Sequence, residues 1–244
     1  MDELNDFLPP QKNNVVFGYQ FTGSPSIKHI IEAIGVPHPE VGEILVNFYP
    51  EELAYKVQDK DFILVKPTIY FHPCNNLKNS RQGEVLPKFV LDSHLGKLAV
   101  YLRMFGYDAL YQNDYDDELI AEISSRENRI LLTRDRGLLK RKIIKDGYWI
   151  RSLEPTIQIE EVLVKFNLVE NRKAFQRCLI CNQPLQPVDK NSVIDKLEPL
   201  TLKYFNEFYI CPDCRRVYWK GSHYERMKTF IEKLVNNGGS AANG

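Results

Sequence analysis

Apolar residues recur along the chain with two periods, and the changes of period mark three blocks. In the first block, Val15-Val16-Phe17-Gly18-Tyr19 predicts a strand. From Ser26 to Ile34 the apolar positions Ile27, Ile30, Ile31 and Ile34 share one helical face. Ser26 can cap that helix and Gly35 ends it. Further strands are predicted from Glu43 to Phe48 and from Asp61 to Lys66. One helix laid on a small sheet fits this order.

Residues 71–87 are polar and turn-rich, which suits a linker. The second block, 88–170, alternates strands with helices. Lys88 to Leu91 predicts a strand ending at Asp92. Ser93 can cap a helix through Phe105, with Leu95, Leu98, Ala99 and Leu102 on one face and Gly106 at its end. Asp108 to Tyr111 is the next strand. Asp116 then caps a helix with Leu119, Ile120 and Ile123 inward. Arg129 to Thr133 is a strand running up to Asp135, followed by a basic helix from Gly137 to Lys145. Tyr148 to Arg151 and Thr156 to Asn167 add a strand and a helix. Such alternation predicts an α/β domain with a parallel sheet and helices on both faces. The third block, 171–235, carries four cysteines and a closing helix from Tyr224 to Val235. Residues 236–244 lack an apolar anchor and are expected to be a disordered tail. No internal repeat is visible.

Composition narrows the class. The chain has 244 residues, a hydrophobic fraction of 43% and a formal net charge of zero. No stretch approaches the roughly 18 unbroken apolar residues of a membrane helix. The N-terminal residues are acidic and polar, so no signal peptide is expected, and a cytoplasmic, reducing location follows. Charge is uneven. Residues 1–70 carry five Lys/Arg against ten Asp/Glu, and residues 126–151 carry nine against three. The neutral total excludes a bulk nucleic-acid coat, whereas the basic stretch leaves room for a phosphate-binding face or an ordinary solvated surface.

The cysteines give the sharpest chemical signal. Cys178-Leu-Ile-Cys181 and Cys211-Pro-Asp-Cys214 are two C-x-x-C knuckles with 29 residues between them. Two-residue spacing lets both sulfurs of a knuckle reach one ion, and zinc takes four tetrahedral thiolates with no open position. A structural zinc site is expected, and its removal is expected to unfold the block. Cys74 stands alone in the linker.

Three acidic residues occupy equivalent places. Asp92 follows the first strand of the second block, Asp116 lies between the second strand and its helix, and Asp135 follows the third strand. Ligands of open α/β sheets bind beyond the carboxyl ends of the strands. Carboxylates gathered there suit Mg²⁺ or Mn²⁺. Asp117 and Glu118 are alternatives for the middle ligand. The same aspartates can equally serve as helix caps. Lys97, Arg103, Arg134 and Arg136 lie close by and can either grip phosphate or be plain surface charges.

Longer stretches resemble known families. SIKHIIEAIGVPHPEVGEILVN followed by VQDKDFILVKP is similar to the β-grasp, ubiquitin-like domain of sulfur-carrier type, here spanning 13–70. That family usually has Asn-Gly in the turn at Asn47, but Phe48 follows here. No Gly-Gly ends the segment, so the resemblance implies a docking or stabilising module rather than an activated carrier. FVLDSHLGKLAVYLRMFGYDALY, DYDDELI and RENRILLTRDRGLL, followed by the knuckles and VYWKGSHYERM, resemble the RNase domain family named after the C-terminal part of the mutator-seven exonuclease. That family is similar to PIN-type nucleases with an added zinc ribbon, often preceded by a ubiquitin-like domain.

The resemblance implies metal-dependent hydrolysis of RNA, with Asp92, Asp116 and Asp135 on the family's acidic positions and the four cysteines in its ribbon. Trp219, His223 and Arg226 match the trailing segment, for nucleic-acid contact or for packing beside the zinc. Two other readings stay open. One is a non-catalytic module that holds RNA and recruits a protein partner through the β-grasp domain. The other is a phosphoacceptor switch with Asp92 as acceptor.

Overall fold

The computed structural model describes residues 3–69, 86–169 and 173–241. The linker expected over 71–87 lies, up to residue 85, outside the described residues, and so does Cys74.

The first helix forms where its apolar stripe predicts. α1 (Ile27–Ile34) is capped by the Ser26 hydroxyl, which accepts from the His29 N–H at 3.3 Å, and it ends at Gly35 with φ 127°. Ile27, Ile30 and Ile31 are buried. β1 (Val41–Val46), β2 (Tyr49–Glu51) and β3 (Ile63–Pro67) form an antiparallel sheet in the order β2-β1-β3. The strand expected at residues 15–19 does not form. Val15 and Val16 are 55% and 85% exposed, and a short 3-10 turn, Glu3–Phe7, instead seats Leu4 and Phe7 in the core with Ile44, Val46 and Val57. An apolar run without a partner edge has no ladder to join, and an earlier segment fills the core.

The β1–β2 turn shows how the missing glycine is accommodated. Asn47 and Phe48 both have positive φ, 51° and 72°, as a two-residue hairpin turn of this hand requires. Asn47 tolerates that conformation and is tied down. Its Nδ2 donates to Asp61 Oδ1 at 2.9 Å, and its Oδ1 accepts from the Phe62 N–H at 3.0 Å. The Phe48 ring stacks on Phe62, with centroids 5.7 Å apart.

The second block follows its alternation closely: β4 (Lys88–Leu91), α2 (Gly96–Phe105), β5 (Asp108–Leu110), α3 (Asp117–Glu127), β6 (Ile130–Thr133), α4 (Arg136–Leu139), β7 (Gly147–Trp149) and α5 (Pro155–Lys165). The four strands make one sheet in the order β5-β4-β6-β7, with β4/β5 parallel and β6/β7 parallel. Three expectations fail. Ser93 does not cap the first helix: Asp92 caps a 3-10 turn, Ser93–Leu95, and α2 begins after it at Gly96. Leu119 sits in the first turn of α3 and is 38% exposed, while Ile120, Ala121 and Ile123 face inward. The basic helix stops at Leu139 instead of Lys145. Leu139 and Ile144 are both fully buried, and positions five apart do not share a helical face, so the chain must leave the helix to bury both.

The C-terminal block adds β8 (Gln186–Val188), α6 (Pro199–Tyr204), β9 (Phe208–Ile210), β10 (Val217–Tyr218) and α7 (Ser222–Ala241). β8, β9 and β10 are antiparallel in the order β10-β9-β8. The closing helix is longer than its apolar stripe, because a nucleated helix extends through weak helix formers. It covers residues 236–241, where composition alone predicts a disordered tail. Residues 242–244 lie outside the described residues.

Compactness cuts across these blocks. Residues 1–70 and 115–150 form one unit, and residues 71–114 and 151–244 form the other. Within the first, the ubiquitin-like core reaches Trp149. Buried Glu40 accepts from the Trp149 N–H at 2.6 Å, and Lys140 donates to the Glu32 carbonyl at 2.7 Å. His38 is buried with Nδ1 2.7 Å from Glu32 Oε1 and Nε2 2.8 Å from the Ile144 carbonyl. A carbonyl only accepts, so Nε2 is the donor in the bond to Ile144. Within the second unit, α2 packs on α5 and α5 on α7. Phe89 meets Tyr107 and Phe166 edge-on, and the Tyr107 hydroxyl donates to the Leu168 carbonyl.

The Asn47 turn yields a test. Asn47→Ala removes both side-chain bonds and puts a Cβ residue without polar compensation at positive φ. It is expected to destabilise the protein by about 2–3 kcal/mol, read as a lower urea midpoint at unchanged m-value.

Candidate functional site

The four cysteines converge through two loops of the same geometry. In the first, the Asn182 N–H bonds the Cys178 carbonyl at 3.0 Å and the Cys178 N–H bonds the Gln183 carbonyl at 2.8 Å. In the second, the Arg215 N–H bonds the Cys211 carbonyl at 3.1 Å and the Cys211 N–H bonds the Arg216 carbonyl at 3.0 Å. The residue after each knuckle, Asn182 or Arg215, turns the chain with φ 69° or 59°. Sulfurs approach at 3.6 Å (Cys178–Cys214), 3.4 Å (Cys181–Cys178) and 3.2 Å (Cys181–Cys211), and all four lie within 4.8 Å of one another. A tetrahedral zinc with Zn–S near 2.3 Å separates its sulfurs by about 3.8 Å, so the cage has the size and donor chemistry of that ion. Cys178 and Cys211 are fully buried.

Electrostatics favour thiolate at the centre of the cage. Burial pushes the Cys178 thiol up, but the Cys181 and Ile180 N–H groups and the Tyr218 hydroxyl, 3.1 Å away, outweigh it and bring it down to about 6. Burial, then the neighbouring thiols Cys211 and Cys178, raise Cys181. Four sulfurs this close cannot all shed protons without a cation, and a bound Zn²⁺ would supply the compensating charge.

Arg103 corrects an expectation. A candidate phosphate contact by sequence, it is only 2% exposed. Its Nε donates to the Ala109 carbonyl at 2.9 Å, and Nη1 donates to Leu179 and Ile180 carbonyls at 3.1 and 2.7 Å. One guanidinium thus ties α2 and β5 to the first knuckle. Burial lowers its pKa, and the Cys178 and Cys181 charges oppose that. Asn182 completes the join: its Oδ1 accepts from the Ala109 N–H at 3.1 Å and its Nδ2 donates to Asp108 Oδ1 at 2.7 Å. Sequence reading misses Asn182 and Tyr218. Their signal is position alone, one directly after a knuckle and one four residues beyond the other.

Each of the three aspartates begins a helical turn. Asp92 Oδ1 accepts from the His94 N–H at 2.9 Å, Asp116 Oδ1 from Leu119 N–H at 2.8 Å, and Asp135 Oδ1 from Gly137 N–H at 2.6 Å. Asp92 is buried, at 5% exposure, and Asp116 and Asp135 are exposed. Asp117 and Glu118 are exposed in the first turn of α3. Each of the three side chains thus makes a capping bond. Among the described residues, the cysteines are the group whose ligand atoms stand gathered for a metal.

The basic candidates differ from one another. Lys97 is exposed on α2, and Arg134 is half-buried. Arg136 is the second correction: its guanidinium lies 3.9 Å from the Trp149 ring and 5.1 Å from the Phe7 ring, and Nη2 donates to the Asp6 carbonyl at 3.2 Å. It clamps the N-terminal turn onto β7.

The fold and site define the class: an α/β domain with a parallel sheet and a cluster of four cysteines that could hold a metal, preceded in the chain by a small domain of one helix and three strands. The Mut7-C RNAse domain model matches residues 87–231 and the Mut7-C ubiquitin model matches residues 1–72, and the chain belongs to the Mut7-C RNAse domain family. No curated protein and no solved structure matches it. No helix among the described residues is long and apolar enough to cross a membrane.

Arg103→Leu strands the Leu179 and Ile180 carbonyls, so it is expected to cost about 3 kcal/mol and to release zinc to a chelator faster than wild type, followed with a colorimetric zinc reporter. Arg136→Ala is expected to cost about 1–2 kcal/mol, measured by thermal unfolding.

Proposed function

We propose that the chain is a Mg²⁺- or Mn²⁺-dependent ribonuclease whose metal is held by Asp92, Asp116 and Asp135. The reading is carried by one observation: within the region matched by the RNase family, each of these aspartates stands at a strand-to-helix junction, after β4, β5 and β6. Carboxyl ends of strands are where α/β sheets bind ligands. The donor set fits the ion, since three carboxylates are hard oxygen ligands. Each cap bond fixes a carboxylate relative to its helix, which pre-orients the group.

A divalent ion held there would activate water and neutralise charge on a phosphodiester. Lys97 and Arg134 would meet the phosphate oxygens. The cysteine cage braces the fold with zinc. A reducing cytoplasm would keep its thiols free to bind it.

A second reading is a non-catalytic RNA-binding module that recruits a protein. It is favoured by the apolar surface of the ubiquitin-like sheet, where Phe48, Tyr49, Phe62 and Leu64 are 79%, 73%, 42% and 42% exposed.

Asp→Asn is the discriminating substitution, because asparagine accepts the same cap bond while losing the charge a metal needs. Asp92→Asn and Asp135→Asn are each expected to slow Mn²⁺-dependent cleavage of labelled RNA by roughly a hundredfold, with zinc content and melting temperature close to wild type. Wild-type rates in a clean preparation of either variant would reject the catalytic assignment.

A further inference from the structure

Two open cavities adjoin along the N-terminal half of α7, and both touch Met227. The first, about 420 Å³, is walled by Phe175, Tyr209, Tyr218, Trp219 and Tyr224, with Lys220 at its side. The second, about 290 Å³, is lined by Tyr101, Met104, Phe230, His223 and Arg226. His223, Arg226, Met227 and Phe230 share the helical face that lines the second cavity, and Tyr224, next around the helix, lines the first with Met227.

The walls are held in place. Phe175 and Tyr224 rings lie 4.5 Å apart and Tyr101 and Phe230 rings 4.9 Å apart. Tyr218 is fixed by its bond to Cys178, so the cysteine cage backs the first cavity. Arg177, also in that wall, is tied to the Gly106 and Asn182 carbonyls. Against this rigid back, Tyr209 and Trp219 remain 36% and 37% exposed. Lys220 pairs with Glu207, both more than half exposed, and such a pair exchanges readily for another anion.

The chemistry of the lining selects an occupant. Among the described residues, no Asp or Glu lines either cavity, so neither offers a carboxylate to a hard cation or a basic peptide. Flat aromatic faces beside Lys220, Arg226 and His223 suit a polyanion that carries flat rings. A duplex keeps its bases stacked inside, whereas a single strand offers them to aromatic side chains. We propose that the two cavities form one groove for single-stranded RNA, with bases stacking on Tyr209 and Trp219 and phosphates meeting Lys220 and Arg226. The proposal deepens the ribonuclease reading and rests on RNA being the substrate.

The test uses the zinc-loaded full chain carrying Asp92→Asn, in buffer without Mn²⁺, so that binding is read without cleavage. The probe is a short fluorescein-labelled oligouridylate, followed by anisotropy over a salt series. Trp219→Ala and Tyr209→Ala are each expected to weaken binding about tenfold, and Trp219→Phe to recover most of the loss. Arg226→Ala should flatten the slope of log affinity against log salt by about 0.7. Variants are compared at equal zinc content, and Tyr209→Ala, at an exposed side chain of β9, keeps the test open if Trp219→Ala loses metal. Unchanged affinity in both alanine variants overturns the proposal and leaves these aromatics to a protein segment. A duplex that competes as well as the single strand overturns it too. Groove-dependent binding in a chain whose wild type never cleaves RNA would sustain the groove and remove the ribonuclease reading.

Discussion

A buried guanidinium has to satisfy its donors inside the protein or bear the full cost of leaving water. Arg103 meets that constraint by reaching Ala109 on β5 and Leu179 and Ile180 in the first cysteine loop. Its position on α2 and the placing of the metal cage are therefore one structural fact. The cage is anionic once its thiols ionise, and the cation beside it makes that charge tolerable. Asn182, bonded to both Ala109 and Asp108, repeats the connection with a neutral side chain. The ribbon is built onto the sheet edge, and loss of metal would be felt in β5 and α2.

The other unit depends on a comparable set of bonds. Trp149 ends β7 and enters the ubiquitin-like core, with its N–H on Glu40 and its ring under Arg136. His38, Glu32 and Lys140 add polar ties to the 140–144 segment. Such bonding makes the ubiquitin-like domain a brace for the β6–β7 region. That agrees with its lack of a terminal Gly-Gly, and it leaves the exposed Phe48–Phe62 surface for another task.

Much of this is legible in the sequence. Ser26, Asp92, Asp116 and Gly106 mark helix ends because caps are local chemistry. The knuckles declare themselves because metal geometry demands a fixed spacing. What stays hidden depends on partners distant in the chain. Residues 15–19 look like a strand but have no edge to join. Leu119 fits the periodic stripe yet faces out, since the real stripe runs through Ile120 and Ile123. Arg103 and Arg136 read as surface cations because nothing local reveals a carbonyl some 76 residues away or a tryptophan on another strand. Aspartates are the ambiguous case: capping and metal binding ask for the same residue at the same place.

The proposed metal-dependent ribonuclease requires Asp92, Asp116 and Asp135 to act on one divalent ion. Electron paramagnetic resonance of free Mn²⁺, titrated with zinc-loaded protein in the absence of RNA, counts bound ions without reference to any reaction. A shared site predicts saturable Mn²⁺ binding in the wild type that is lost in each single Asp→Asn variant while the zinc content holds. Retention of that binding in all three variants, or no saturable binding in the wild type, would contradict it.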